Sequence, residues 1–217
     1  MDFMELLSII VMLCCVMLCA TGRLKSLIRA AATQGAALGL LAFSKSFSVE
    51  TCALAAATIL VKAVVFPYLL NRALEHSPAA QENASALNEP KPYVGYNLSL
   101  AVCALMLGLA AWLSARLSSG DLLLTAAFFT ILTGFFLLVS RKSAYMQAIG
   151  YLVLEGGIYL CAMGLRQASP LLVELGLMLD VLMAVFIMGL MIYQISNEFD
   201  HADIARLSNL SDAEDYD

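Results

Sequence analysis

The chain has 217 residues, of which 61% are hydrophobic and only 13% are charged, and its mean hydropathy is +0.84. Soluble domains are about 45–50% apolar and about 25% charged, so this composition excludes an ordinary soluble domain and predicts an integral membrane protein. The formal net charge is −5, concentrated near the C-terminal end, and no basic patch points to nucleic acid as a partner.

Apolar stretches of about 20 residues, the length that crosses a bilayer as a helix, recur along the chain. We therefore predict an all-α, polytopic membrane protein with about seven transmembrane helices. The predicted helices cover residues 3–21, 27–44, 49–70, 94–115, 122–140, 144–165 and 170–194.

One hydrophilic connection, residues 71–93, separates these helices into groups, and it contains three prolines typical of a loop. The predicted organisation is a three-helix membrane unit (1–70), a cytoplasmic loop (71–93), a fourth helix (94–121), a second three-helix unit (122–194) and an acidic cytoplasmic tail (195–217).

Lys and Arg predict the orientation, because cytoplasmic segments carry an excess of them. One side of the predicted topology holds three: Lys45, Arg116 and Arg166. The other side holds eight: Arg23, Lys25, Arg29, Arg72, Lys91, Arg141, Lys142 and Arg206. We expect a multi-pass protein of the bacterial inner membrane, with its N-terminus periplasmic and its C-terminus cytoplasmic.

The sixth predicted helix carries a single carboxylate, Glu155, near its middle. A charge at that depth costs about 2.5–3.5 kcal/mol on insertion scales, so it is a functional-site candidate by default. Tyr151 and Tyr159 lie four residues to either side and share its helix face. Glu155 is either a proton relay, with the two phenols extending its path, or a polar tie to a neighbouring helix.

Two further charges lie inside predicted spans: Asp180 in the seventh helix and Lys62 in the third. Asp180 is expected at a depth similar to that of Glu155. Lys62 either relays protons, faces a partner subunit, or pairs statically with a carboxylate of its own or another subunit. Pro67 removes the backbone hydrogen bond to the carbonyl of Ala63 and predicts a helix kink just beyond Lys62.

No catalytic motif or metal-ligand cluster is evident, and the only histidines, His76 and His201, lie outside the predicted spans. The six cysteines lie within apolar stretches and are expected to be small buried apolar side chains. We therefore predict no catalytic residue, no metal site and no redox cofactor in this chain.

The segment from Gly150 to Tyr159, which reads Gly-Tyr-Leu-Val-Leu-Glu-Gly-Gly-Ile-Tyr, is followed by Asp180 one helix later and by the tail 199–210. Together with the Lys62 to Pro67 pattern, it resembles the E subunit of hydrogenase-4, in the membrane arm of formate hydrogenlyase and related NiFe-hydrogenase complexes. Gly156 departs from this pattern, because Asn is expected there.

Residues 122–194 are also similar to the K subunit of respiratory complex I and the C subunit of multisubunit Na⁺/H⁺ antiporters. This resemblance implies that Glu155 and Asp180 belong to a half-membrane ion path. The partners it implies are antiporter-like subunits, a quinone-site-type membrane subunit and a soluble hydrogenase module, which would hold the NiFe centre and iron–sulfur clusters.

The predicted function is that of a non-catalytic membrane subunit lining a proton or sodium path. Glu155 and Asp180 would be relay acids, and Lys62 a relay or field-setting base. Two alternatives remain: a structural scaffold without ion conduction, and a subunit of a multisubunit cation/proton antiporter.

Overall fold

The computed structural model describes residues 3–45, 60–75, 95–118, 121–141 and 144–165. Every element within these ranges is helical. In chain order they are α1 (Phe3–Ala20), α2 (Leu24–Lys45), a π-helical segment (Leu60–Val65), α3 (Phe66–Glu75), α4 (Tyr96–Ser118), α5 (Leu122–Ser140) and α6 (Ala144–Gly164).

Four stretches of the described helices are long and apolar enough to cross a membrane: Phe3–Ala20, Asn97–Leu117, Leu122–Ser140 and Met146–Gly164. The prediction of a helical membrane protein is confirmed to this extent. The predicted seventh helix (170–194) and the acidic tail (195–217) lie outside the described residues.

The observed bounds follow the apolar runs closely, and α5 has the predicted bounds. One prediction was wrong: the third helix does not end at residue 70 but continues as α3 to Glu75, into the predicted loop. Asn71 and Arg72 end the apolar surface without breaking the helix, since neither removes a backbone hydrogen bond. Arg72 instead lies 3.4 Å from the Tyr68 hydroxyl, one turn earlier.

The third helix changes type directly before Pro67. The π-helical segment Leu60–Val65 passes into the α-helix α3 at Phe66. Pro67 has no N–H for the carbonyl of Ala63, so the regular α pattern cannot continue through this point. π-helical turns are rare and often occur at functional sites, and this one contains Lys62.

Among the described elements, α5 and α6 make the most extensive contact. In α6, Gly150, Gly157 and Gly164 recur every seven residues and all face α5. In α5, Gly134 faces α6 so closely that an added Cβ would lie 2.6 Å from the backbone nitrogen of Leu154. Small residues let helix backbones approach in a membrane, where the hydrophobic effect does not drive helices together.

Helices α1 and α5 meet at their C-terminal ends. Arg141, which caps α5 and is 1% exposed, donates a hydrogen bond from Nη2 to the carbonyl oxygen of Cys19, at 3.3 Å. A cation here satisfies a helix-terminal carbonyl and complements the helix dipole. Both ends therefore lie on one side of the bundle, as the predicted alternating topology requires of a first and a fifth helix.

Candidate functional site

The site is centred on an ion pair between two sequence-distant segments. Lys62, in the π-helical segment, places its Nζ atom 2.5 Å from Oε1 of Glu155 in α6. Both side chains are buried, with exposed fractions of 8% and 5%. Glu155 lies about 16 Å along α6 from its first residue at 1.5 Å per residue, so the pair lies deep between the helix ends.

Helix α2 contacts the backbone of Lys62. A Cβ added to Gly35 would lie 2.8 Å from the Cβ of Lys62 and 3.1 Å from its carbonyl carbon. Only a glycine permits this approach, so the π-helical backbone rests directly on α2. Lys62 is therefore placed by two neighbours: α2 at its backbone and Glu155 at its ammonium group.

Consecutive glycines place Glu155 between two different helices. A Cβ on Gly157 would lie 2.7 Å from the backbone nitrogen of Ile131 in α5. A Cβ on Gly156 would instead lie 2.7 Å from Cδ1 of Leu38 in α2. Mid-helix glycine disfavours a helix, yet α6 is continuous through both positions, because each one admits a neighbouring helix.

Beside the ion pair lies a small cavity of about 10 Å³. Its lining comes from α2, the π-helical segment and α6, and consists of Ala31, Gln34, Gly35, Leu38, Lys62, Leu152 and Val153. Gln34 is 2% exposed, and among the described residues neither polar atom of its amide has a hydrogen-bond partner.

The structure thus brings together two of the predicted site residues, Lys62 and Glu155, and it adds Gln34. Tyr151 and Tyr159 are partly buried and pack against the core on the helix that carries Glu155. Pro67 is the second residue of α3, two positions after the end of the π-helical segment. Asp180 lies outside the described residues.

Sequence reasoning missed Gln34 and the buried position of Arg141. It singled out the charged residues inside the spans and uncharged residues near them in the sequence, whereas Gln34 is neutral and lies on a helix without a candidate site residue. The signal was nevertheless present, because an amide in the middle of an apolar helix normally hydrogen-bonds across to a neighbour. Arg141 was assigned to a cytoplasmic loop, and its side chain instead turns inward to the end of α1.

The cysteines agree with the prediction where the structure describes them. Cys15, Cys19 and Cys103 are buried, whereas Cys14 and Cys161 are partly buried. Cys14 contacts Thr33 of α2 at 3.3 Å, and Cys15 donates to Thr130 of α5 at 3.6 Å. These thiols therefore connect α1 to its neighbours. Cys52 lies outside the described residues.

The ion pair has a defined chemical capability. Transfer of one proton from Nζ of Lys62 to Oε1 of Glu155 breaks an N–H bond, forms an O–H bond and converts two charges into two neutral groups. At 2.5 Å no movement of either helix is needed for this step. Burial of the charged pair costs desolvation free energy, whereas the neutral pair largely avoids this cost. Burial therefore brings the free energies of the charged and the neutral pair closer together.

No protein-family model matches the chain. No solved structure matches it either. The chain is 32% identical over 194 residues to the uncharacterized protein Rv0085 of Mycobacterium tuberculosis, and the match covers 87% of each protein. The chain therefore belongs to the same family as Rv0085.

Proposed function

We propose that this chain is a membrane subunit of an energy-converting, hydrogenase-4-like complex and that it contributes the Lys62–Glu155 pair to a proton or sodium path. The observation that supports this most strongly is the pair itself, buried at mid-depth between helices with a cavity beside it. Ionisable groups at such depth typically mark ion pathways.

In this function the pair carries one proton at a time. A proton reaching the neutral pair at Lys62 makes an ammonium group beside a Glu155 that is still protonated, and transfer of one proton from Lys62 to Glu155 later restores the neutral pair from the ion pair. Departure of the proton that Glu155 already carries leaves the lysine protonated and the carboxylate charged, which is the ion pair seen here. Electron transfer in the partner subunits would drive the cycle, since no redox centre is assigned to this chain.

The direct test replaces Glu155 with glutamine in the assembled complex. Glu155→Gln keeps the shape and a hydrogen-bond acceptor for Lys62, but it cannot take up or release a proton. We expect the complex to assemble and ion translocation in membrane vesicles to be abolished. Glu5→Gln, an exposed carboxylate at the start of α1, is the matched control and is expected to translocate normally.

A structural scaffold is the second candidate, and the direct contact at 2.5 Å specifically favours it, because such a pair can simply tie α6 to the third helix. The double variant Lys62→Met with Glu155→Gln separates the two. A scaffold tolerates loss of both charges, because replacing a buried ion pair with two uncharged side chains often leaves the stability of a protein unchanged. Normal translocation by the double variant would therefore refute the relay, whereas an assembled but inactive complex would refute the scaffold.

The identity of the complex is tested by its metal content. Affinity purification through this chain from native membranes should recover a partner module containing nickel and iron. An assembly without nickel that exchanges sodium for protons would instead identify the multisubunit antiporter alternative.

A further inference from the structure

Gln34 is a buried polar side chain whose hydrogen bonds are not accounted for by the Lys62–Glu155 pair. Its side chain is 2% exposed, it lines the cavity, and neither polar atom of its amide finds a partner among the described residues. Buried polar side chains in native proteins are nearly always hydrogen-bonded, either to protein or to ordered water. A primary amide has two donors and two acceptor positions, so its need for a partner is large.

The cavity has the right size and chemistry for one water molecule. Its volume of about 10 Å³ is close to that of a single water-sized sphere, near the lower limit for one bound water. A buried water needs two to four polar partners. Gln34 offers both a donor and an acceptor, and the ammonium group of Lys62 has three N–H donors, of which Glu155 Oε1 takes one.

The glycine after Glu155 keeps this space open. The amide nitrogen of Gln34 lies 3.6 Å from where a Cβ of Gly156 would be. A larger side chain at Gly156 would contact Gln34 and push Leu38, another residue that lines the cavity. The same small residue thus allows α2 to approach α6 beside the cavity without crowding Gln34 or Leu38.

We infer that this cavity is a binding site for one structural water, held by the amide of Gln34 and by Lys62. The water hydrates the ion pair from the α2 side and makes Gln34 a positioning residue for the exchange of the Lys62 proton. The water site itself does not depend on ion translocation, and only its part in the relay rests on the proposed function.

Water-edited solid-state NMR of the ¹⁵N-labelled full-length protein in lipid bilayers tests the site. Magnetisation from water should reach the side-chain amide of Gln34 several-fold faster than the backbone amides of Ala126 and Leu137, which are buried in α5. Equal transfer to all three groups would show a dry cavity and overturn the inference. This measurement uses the native sequence and does not depend on any variant folding.

A variant then tests whether Gln34 holds the water. Gln34→Met keeps a similar side-chain length without a hydrogen-bonding amide, and it should slow water transfer to Nζ of Lys62 several-fold. Nζ of Lys25, which is exposed at the start of α2, should be unchanged. Unchanged transfer to Lys62 would overturn the assignment of Gln34. Slowed transfer together with normal ion translocation would keep the site and refute only the part of this water in the proposed relay.

Discussion

The two faces of α6 pack in opposite ways. Toward α5 the helix presents glycines at seven-residue intervals, and the backbones touch. Toward α2 and the π-helical segment it presents Glu155 and a small cavity. The division falls between consecutive residues, since Gly156 faces α2 and Gly157 faces α5. One helix thus separates a close apolar contact from a polar contact that contains a buried ion pair and a small cavity.

The largest expected effect comes from breaking the polar face on one side only. Glu155→Leu leaves the ammonium group of Lys62 buried without its carboxylate, and loss of one partner of a buried pair costs about 3–5 kcal/mol. We expect this decrease in the free energy of unfolding, measured by SDS titration in mixed micelles. Adding Lys62→Met should recover most of it, whereas no recovery would show that the two side chains contribute independently.

A smaller effect is expected from crowding the apolar face. Gly134→Ala places a Cβ 2.6 Å from the backbone of Leu154, where no rotamer change can relieve the contact. Overpacking of this kind costs about 1–3 kcal/mol. The control is Gly108→Ala in α4, where an added Cβ meets nothing within 4 Å. Equal stability of the two variants, measured by the same titration, would contradict the close contact of α5 with α6.

The smallest expected difference compares the consecutive glycines directly. Alanine improves helix propensity at either position by about 0.8–1.0 kcal/mol. At Gly157 the new Cβ meets the backbone of Ile131, whereas at Gly156 it meets only the end of the Leu38 side chain. Gly156→Ala should therefore be near neutral, and Gly157→Ala should be less stable. The reverse order in thermal unfolding would show that the two faces are assigned wrongly.

Within the described residues the sequence predicted the helices well, because the length of an apolar stretch is a local property. The bounds of α5 and the depth of Glu155 follow from counting residues. Pairing of Lys62 with a carboxylate of its own subunit was one of the alternatives. That this carboxylate is Glu155 was not predictable, because the two segments are more than ninety positions apart and the hydrophobic pattern does not indicate which helices are neighbours. Gln34 was recognisable as an amide in the middle of an apolar helix, but the cavity beside it was not, because that cavity forms only when three segments pack together.

The resemblance to membrane proteins of hydrogenase-4 and of complex I stays a prediction. The structure contributes something different, namely a physical reason for the Leu-Glu-Gly-Gly-Ile-Tyr run. The carboxylate needs a partner across one helix face, and each glycine admits a different neighbour.

The capping of α1 by Arg141 has a consequence for biosynthesis. The two residues are 122 positions apart, so at about 5–20 residues per second the ribosome needs roughly 6–25 s to supply the guanidinium group after Cys19 has emerged. During that interval the end of the first helix depends on water or on the translocation machinery for its hydrogen bond. The N-terminal helix therefore gains the hydrogen bond to its C-terminal end only after most of the chain has been synthesised. A chain truncated before residue 141 would leave this helix without its cap.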